Sequence, residues 1–324
     1  MKKVFKIFSG CLIILLFSIS GCRTLYDVVY NTFNSFSSPD KLKSKIKNPI
    51  RDSVKLSALW VGHSTVLIQI EDKVILTDPF FTNNVAQIQR RIIEPGVDLN
   101  DIPKCDLILL SHPHFDHLNL GTLALLEERF PKCDLVYPEG LEEFLPDINF
   151  NFHKFKRPDG YRKIYTGETK IINGLKITTV AAFHWGGRYG LDGLIWGQNS
   201  FTGYIIEYKG KTIYFSGDTA YDEEFFKLLG EKYAIDMEFI PIGPCKDEKC
   251  YEIHKEYFHV YPKGALKILE DTKSKIMIPI HYGTLYEKSH PLKPKWALEE
   301  LLVNKPDLKN RVKILEIGEQ IEIK

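Results

Sequence analysis

Hydrophobic and polar positions alternate in short blocks from Val54 onward. Apolar runs at 56–60, 66–70 and 74–77 are separated by polar residues, and the tightest turn is the Glu-Asp-Lys segment 71–73. Apolar runs of this length, bounded by turn residues, are typical of strands. The pattern therefore predicts a β-meander at the start of the folded body.

A longer series of strands and helices follows. The apolar run 107–111 precedes a predicted helix at 120–130, in which Leu123, Leu126 and Phe130 share one face. Further strands are predicted at 175–183, 202–208, 212–216, 236–241, 275–280 and 312–323, and further helices at 223–232, 262–270 and 295–302. Because no long linker divides this region, we expect one domain at 53–324 with two internal halves.

The first 21 residues differ from this body. Lysines at 2, 3 and 6 precede the short apolar run 12–17 and the small residues 18–21, which is the pattern of an export signal. The run is shorter than the about 20 apolar residues of a membrane span. Residues 19–22 resemble a bacterial lipobox, which implies cleavage before Cys22 and a lipid on that cysteine. An uncleaved anchor and a plain secretory signal are the alternatives.

The next segment, 22–52, is polar and interrupted, with lysines at 41, 43, 45 and 47. We interpret it as a flexible spacer after the lipidated cysteine. The chain is then expected to be an exported bacterial lipoprotein, anchored to a membrane and facing the periplasm or the cell exterior.

Composition and charge restrict the partners. The 324 residues are 44% hydrophobic and 26% charged, as in an ordinary globular protein, and the formal net charge is +1. This balance argues against a nucleic-acid-binding surface.

Four cysteines of the predicted mature domain have two favoured pairings. Cys245 and Cys250 close a short loop, whereas Cys105 and Cys133 occupy equivalent positions in the near-repeat Pro-Lys-Cys-Asp-Leu, which opens two predicted strands. Four unpaired buried thiols are an equally good interpretation.

The hexapeptide 112–117, His-Pro-His-Phe-Asp-His, carries most of the candidate chemistry. It follows a predicted buried strand, and His and Asp side chains together suit divalent ions such as zinc. In an extended segment His112 and His114 share a face and can reach one ion, while Asp116 and His117, past a bend, can reach a second. Solvated loop histidines are the less specific alternative.

Three further polar side chains stand just after apolar strands, as the hexapeptide does. They are His184, Asp218 and His281. Each alone is as well explained by an ordinary loop residue, but together with the hexapeptide they predict a site for two metal ions.

The assembled pattern resembles the metallo-β-lactamase fold of binuclear hydrolases over almost the whole mature body. Within it, the motifs are similar to those of N-acylphosphatidylethanolamine-hydrolysing phospholipase D and its bacterial relatives. They are Trp-Val-Gly-His-Ser-Thr at 60–65, Thr-Asp-Pro at 77–79, the hexapeptide, Phe-His-Trp at 183–185, Gly-Asp-Thr at 217–219 and Pro-Ile-His-Tyr-Gly at 279–283. The segment 245–257 is longer and more charged than the family pattern.

The resemblance implies a fold, ligands and roles. The fold is a four-layer αββα sandwich, with two mixed β-sheets and helices on the outer faces. One ion is assigned to His112, His114 and His184, the other to Asp116, His117 and His281, with Asp218 bridging. Two divalent ions are implied, with Zn²⁺ first and Mn²⁺ or Fe²⁺ as alternatives.

Several residues receive a catalytic or supporting role from the same resemblance. Asp218 and Asp116 are catalytic as well as ligating, and His259 contacts substrate or phosphate, although a plain helix-entry residue explains it almost as well. Asp78 and His63 are expected to support the ligands from behind.

The implied activity is hydrolysis of a phosphodiester in a membrane phospholipid, of the N-acylphosphatidylethanolamine type. A metal-dependent lactonase or another hydrolase of a small soluble substrate is the alternative enzyme, because a metal-activated water attacks carbon as well as phosphorus. A nuclease is disfavoured by the charge balance. A surface lipoprotein that binds a partner without catalysis is the alternative from another class.

Overall fold

The computed structural model describes residues 38–85, 89–189, 200–245, 247–253, 259–285 and 290–323. The signal-like segment 1–21, Cys22 and the first part of the predicted spacer lie outside these residues. In the described part of the chain, no helix is both long and apolar enough to cross a membrane.

Fifteen strands and five α-helices are described. The strands are β1 (Leu56–Gly62), β2 (Thr65–Ile70), β3 (Lys73–Thr77), β4 (Asn84–Val85), β5 (Gln89–Arg90), β6 (Leu107–Leu109), β7 (Asp134–Pro138), β8 (Asn151–Phe155), β9 (Thr166–Ile172), β10 (Leu175–Val180), β11 (Gly203–Tyr208), β12 (Lys211–Phe215), β13 (Met237–Pro241), β14 (Ile276–Ile280) and β15 (Gln320–Ile323). The helices are α1 (Leu120–Arg129), α2 (Glu223–Lys232), α3 (Pro262–Thr272), α4 (Lys293–Val303) and α5 (Pro306–Lys309).

The strands form two large mixed sheets and one small hairpin. The first sheet has the order β15-β1-β2-β3-β6-β7-β8, and the second has the order β14-β13-β12-β11-β10-β9. Within the first, β3, β6, β7 and β8 run parallel, and within the second, β12, β13 and β14 run parallel. Strands β4 and β5 pair only with each other.

Side chains on the two faces of the first sheet enter two different cores. Along β6, Leu107 and Leu109 belong to the core shared with the second sheet, whereas Ile108 packs in the core that includes Leu123 and Leu126 of α1. Alternation of this kind follows from the period of two along a strand.

Helices cover the outer faces of both sheets. Phe225 of α2, Leu266 of α3 and Leu298 of α4 join the core of the second sheet, opposite to the position of α1. The layers are therefore helix, sheet, sheet and helix, which confirms the expected αββα sandwich.

Part of the predicted spacer is packed against the domain. The Leu42 backbone N–H donates to Glu94 Oε1 at 2.7 Å, Lys45 Nζ lies 2.6 Å from Asp98 Oδ1, and Ile50 packs against the core that contains α1. Residues of the segment 38–52 thus have polar and apolar partners on the domain.

The cysteines follow the expected pairing in one of two cases. Cys245 and Cys250 form a disulfide, whereas Cys105 and Cys133 are buried free thiols whose sulfur atoms lie 3.4 Å apart. The near-repeat correctly placed the second pair just before the neighbouring strands β6 and β7, but it did not predict their chemical state.

Candidate metal centre

The loop 112–117 leaves the carboxyl end of β6 between the two sheets. Its turn is closed by hydrogen bonds from the backbone N–H groups of His117 and Leu118 to the carbonyl of His114, at 3.0 and 2.8 Å. Arg188 donates to the carbonyls of Pro113 and Leu118, at 2.8 Å each, so a buried guanidinium holds both ends of the loop.

Three imidazoles form the first ligand group. His112 Nε2 lies 2.8 Å from His114 Nδ1, and His184 Nε2 lies 3.2 Å from the same atom. His184 follows β10, and the Tyr161 hydroxyl donates to its carbonyl at 3.0 Å. The expected first ligand set is thus brought together, although its members are separated by about seventy residues in the sequence.

The second ligand group is built on another side of the same loop. Asp116 Oδ2 lies 3.6 Å from Nε2 of His117 and 3.6 Å from Nε2 of His281. His63 joins this group, since its Nε2 lies 2.9 Å from Asp116 Oδ2. One ligand atom from each of these four residues lies within 4.8 Å of those of the others.

Asp218 lies between the two groups. Its Oδ2 is 3.2 Å from Nε2 of His117 and of His281, and 3.8 and 3.9 Å from Nε2 of His112 and His184. The residue follows β12 through Gly217, whose φ is +58° and where a Cβ atom would come within 2.6 Å of Ser111 Cβ. Only glycine fits this close approach without strain.

His259 lies over the junction of the two groups. Its Nδ1 is 3.7 Å from Asp218 Oδ2, and its ring centroid is 5.1 Å from that of His184 and 5.3 Å from that of His281. The backbone N–H of Val260 donates to the Thr219 carbonyl at 2.7 Å, which ties this segment to the Asp218 loop.

Asp78 supports both groups from behind. Its carboxylate is fully buried and accepts hydrogen bonds from the Ser111 backbone N–H at 2.7 Å and from the Ser111 hydroxyl at 2.6 Å. It also lies 2.7 Å from His117 Nδ1, while the Ser111 hydroxyl lies 2.8 Å from His112 Nδ1. These contacts direct the Nε2 atoms of both imidazoles toward Asp218.

Burial keeps several imidazoles in the form that can bind a metal. It lowers the pKa of His63 to about 3, of His114 to about 4 and of His259 to about 4, and it lowers the pKa of His112 well below the ordinary value. Neutral imidazole is the form that coordinates metals.

The carboxylates reverse this effect at two positions. Burial opposes a charge on His117, but Asp218, Asp116 and Asp78 together raise its pKa well above the ordinary value. Burial also opposes a charge on His281, and chiefly Asp218 raises its pKa to about 10. In turn, burial opposes the charges on Asp116 and Asp218, but His117 together with the other nearby histidines outweighs it and holds both pKa values well below the ordinary range.

The residues present fit a divalent metal ion. Buried side-chain atoms without a hydrogen-bond partner include Nε2 of His114, His117 and His281 and Oδ1 of Asp218. Buried polar atoms without partners are costly, about 1–3 kcal/mol each, and a cation among them would satisfy several at once. Imidazole and carboxylate are donors that zinc and similar ions accept.

Some residues of the site receive no role from the sequence motifs. Ser111 joins Asp78 to His112, Thr284 accepts the backbone N–H of His63, and Trp185 packs its ring 4.2 Å from that of His114. The residues in the contacts Ser111–Asp78, Thr284–His63 and Trp185–His114 are 33, 221 and 71 positions apart in the sequence. Because their side-chain types also suit many other roles, only the folded chain reveals these contacts.

Comparison with known proteins places this site in a family. The model of the beta-lactamase superfamily domain matches residues 73–282. A UPF0173 metal-dependent hydrolase of Thermodesulfovibrio yellowstonii is 31% identical over 82% of this chain and 91% of its own length. The chain therefore belongs to the beta-lactamase superfamily and is a metal-dependent hydrolase with the metallo-β-lactamase fold.

Other similar proteins match this chain at lower sequence identity. N-acyl-phosphatidylethanolamine-hydrolyzing phospholipase D 1 of Caenorhabditis elegans is 28% identical over 79% of this chain and 72% of its own length. A possible metal-dependent hydrolase from Veillonella parvula shares the fold, with a TM-score of 0.63 at 14% identity over 84% of this chain and all of its own. The chain spans 54% to 91% of the lengths of the curated relatives that we compared, so some are considerably longer.

Proposed function

We propose that this protein is a binuclear metal-dependent phosphodiesterase of the phospholipase D type, acting on N-acylphosphatidylethanolamine-like lipids at a membrane. One observation carries the binuclear part. The single oxygen Oδ2 of Asp218 lies within 3.9 Å of imidazole nitrogens from both ligand groups, including His184 on one side and His281 on the other. A carboxylate in this position is suited to bridge two ions.

The bound ions would supply an activated water and neutralise charge on a phosphoryl group. They would be held by His112, His114 and His184 on one side and by Asp116, His117 and His281 on the other, with Asp218 between. Of these, Asp218 also orients the attacking water through its second oxygen, Oδ1, which has no other partner. His259 lies over both groups, where its imidazole binds a phosphoryl oxygen.

Aromatic side chains next to the metal loop favour a lipid substrate. We define the aromatic rim as Trp185, Tyr189, Phe115 and Phe144. Trp185 and Tyr189 are 37% and 69% exposed, and the Tyr189 ring lies 5.9 Å from Phe115 and 6.0 Å from Phe144. Exposed Trp and Tyr rings suit the boundary between water and lipid.

The start of the described chain, Ser38, lies on the side of the domain that carries the metal loop. Arg90 Nη1 donates to the Ser38 carbonyl at 2.7 Å, which places the start of the described chain beside the β4–β5 hairpin. Val85 of this hairpin and Leu285 form a small apolar cluster against which Phe115 of the metal loop packs. A lipid on Cys22 would hold the domain near the membrane, where lipid substrate is concentrated.

Activity of the full chain against three substrates tests this proposal. With Zn²⁺ or Mn²⁺, we expect hydrolysis of N-acylphosphatidylethanolamine vesicles and of bis(p-nitrophenyl)phosphate, with phosphatidate identified by mass spectrometry. The variants H114A and D218A should lose at least 100-fold in rate, in line with loss of a metal ligand or charge stabiliser. H153A, which changes a histidine outside the centre, should retain activity.

Other outcomes would point elsewhere. Hydrolysis of lactones without hydrolysis of phosphodiesters would indicate the alternative enzyme. Absence of turnover and of bound metal after reconstitution would indicate a partner-binding lipoprotein. To test the rim, Y189A should lower the rate on vesicles about 10-fold while leaving the soluble phosphodiester unaffected. W296A removes a 48% exposed aromatic ring elsewhere and serves as its control.

A further inference from the structure

His63 occupies a strained turn that other parts of the chain hold in place. It lies between β1 and β2 with φ at +53°, a region that residues other than glycine seldom adopt. Its backbone N–H donates to Thr284 Oγ1 at 2.6 Å, and its carbonyl accepts from Trp60 Nε1 at 2.9 Å and from the His281 backbone N–H at 3.0 Å. A conformation fixed at this expense points to a functional role.

The residues around this turn are equally restricted. Gly62 has φ at +122°, and a Cβ atom there would come 2.5 Å from Nη2 of Arg91. The fully buried Arg91 guanidinium donates to the carbonyls of Val61 at 2.9 Å, Phe80 at 2.5 Å and Ile93 at 2.8 Å. The guanidinium thus ties the end of β1 to the segment after Asp78.

The turn presents the His63 ring to the second ligand group. Nε2 lies 2.9 Å from Asp116 Oδ2, and the ring centroid lies 4.0 Å from that of His281. Nδ1 is buried and has no hydrogen-bond partner among the residues that the structure describes. A carboxylate can only accept, so the neutral ring carries its hydrogen on Nε2 and donates it to Asp116.

A role as a direct metal ligand fits this geometry less well. Ligand atoms around a tetrahedral zinc ion, at about 2.0–2.1 Å from it, lie roughly 3.3 Å from one another. Nε2 of His117 and of His281 lies 3.2 Å from Asp218 Oδ2 and 3.6 Å from Asp116 Oδ2, close to that spacing. The contact of His63 with Asp116 is shorter and of hydrogen-bond length, and a protonated Nε2 cannot coordinate.

We propose that His63 is a positioning residue. Through the Nε2–H···Oδ2 hydrogen bond, it holds the Asp116 carboxylate toward His117 and His281, the other members of the second ligand group. This inference rests on the metal-centre part of the proposed function. Without the His63 ring, Asp116 is free to rotate away from His117 and His281, so the second ion is bound more weakly. The first group, built on His112, His114 and His184, makes no contact with His63 and is unaffected.

Zinc titration of the metal-free full chain, in competition with a chromogenic chelator, tests this role. H63G removes the ring and suits the positive φ, and H63Q restores an N–H donor of similar reach. We expect H63G to bind the second zinc ion about 10–100-fold more weakly than the wild-type protein, with the first ion unchanged, and H63Q to recover most of this loss. His153 lies away from the centre, with its Nε2 2.7 Å from Asp134 Oδ1. The control variant H153Q should therefore bind zinc as the wild type does.

The Co²⁺ spectrum separates positioning from ligation. Co²⁺-saturated H63G should show the wild-type visible spectrum, because no ligand is lost. A changed spectrum, or failure of H63Q to recover binding, would overturn the positioning role. Equal zinc affinities of H63G and wild type would also overturn it while leaving the proposed function intact, whereas a wild-type chain that binds no zinc would defeat both.

Discussion

Replacing Asp78 by Asn should move the proton on the His117 imidazole of the proposed metal centre without changing the shape of the site. Asp78 Oδ2 lies 2.7 Å from His117 Nδ1, and this carboxylate also accepts the two hydrogen bonds from Ser111. In D78N, the amide nitrogen takes the position of Oδ2, since the remaining oxygen accepts the Ser111 backbone N–H. His117 Nδ1 must then accept rather than donate, and the proton moves to Nε2, the atom that faces Asp218 at 3.2 Å.

The size of this effect follows from the bond that is lost. A hydrogen bond to a charged group contributes about 1.5–3 kcal/mol. At 1.4 kcal/mol for each factor of ten, that loss corresponds to roughly 10–150-fold weaker binding of the ion that His117 holds. The range agrees with the about 10–100-fold losses that follow removal of groups that orient metal ligands.

The assay is zinc affinity by chelator competition, with thermal unfolding followed on the same metal-free samples. D134N is a matched control, because Asp134 lies 2.7 Å from His153 Nε2 at the start of β7, away from the metal loop. We expect D78N to lose affinity for one ion and D134N to lose none. If D78N bound two zinc ions with wild-type affinity, the role given to Asp78 and the tautomer given to His117 would be refuted.

Three further predictions concern stability and redox state. Zinc at 100 times its dissociation constant should raise the free energy of unfolding by about 2.7 kcal/mol for each bound ion, and a chelator should reverse the shift in Tm; an unchanged Tm would contradict specific binding to the folded state. Burial raises the pKa of Glu238 from 4.5 to about 7, so the folded state retains this proton more tightly. Relative to E238Q, the wild-type chain should therefore lose about 3 kcal/mol of stability between pH 4.5 and 7, as measured by urea unfolding of both proteins at each pH; equal slopes for both would contradict this. Alkylation of the denatured mature domain without reductant should label Cys105 and Cys133 but not Cys245 or Cys250, and mass spectrometry that finds no free thiol would show that the first pair is also a disulfide.

The central strands were predictable from the sequence, but the strands at the sheet edges were not. The apolar runs at 56–60 and 66–70 correspond to β1 and β2, which are buried along their whole length. Strands β8 and β9 each form one edge of a sheet and are only partly buried, so they lack the apolar runs on which the prediction depends. The strand predicted at 312–323 shrinks to Gln320–Ile323, with Val312 making only an isolated bridge to Met277.

The candidate ligands were predictable because they share one local context. His112, Asp218 and His281 each follow an apolar strand, and strands that end at the same edge of a sandwich present their next residues to one another. The supporting contacts have no such signal. Arg91 donates to three backbone carbonyls, and Thr284 reaches His63 across 221 residues, so both depend on loop conformations that apolar periodicity does not encode.

The number of metal ions bound per chain decides whether this site is a binuclear centre. Elemental analysis of the purified full chain, after reconstitution with Zn²⁺ and removal of free metal, should give two ions for the wild type. D218A, which removes the carboxylate between the ligand groups, should retain at most one. A wild-type chain without stoichiometric metal, or a D218A chain that still holds two ions, would contradict the account of this site as a binuclear centre bridged by Asp218.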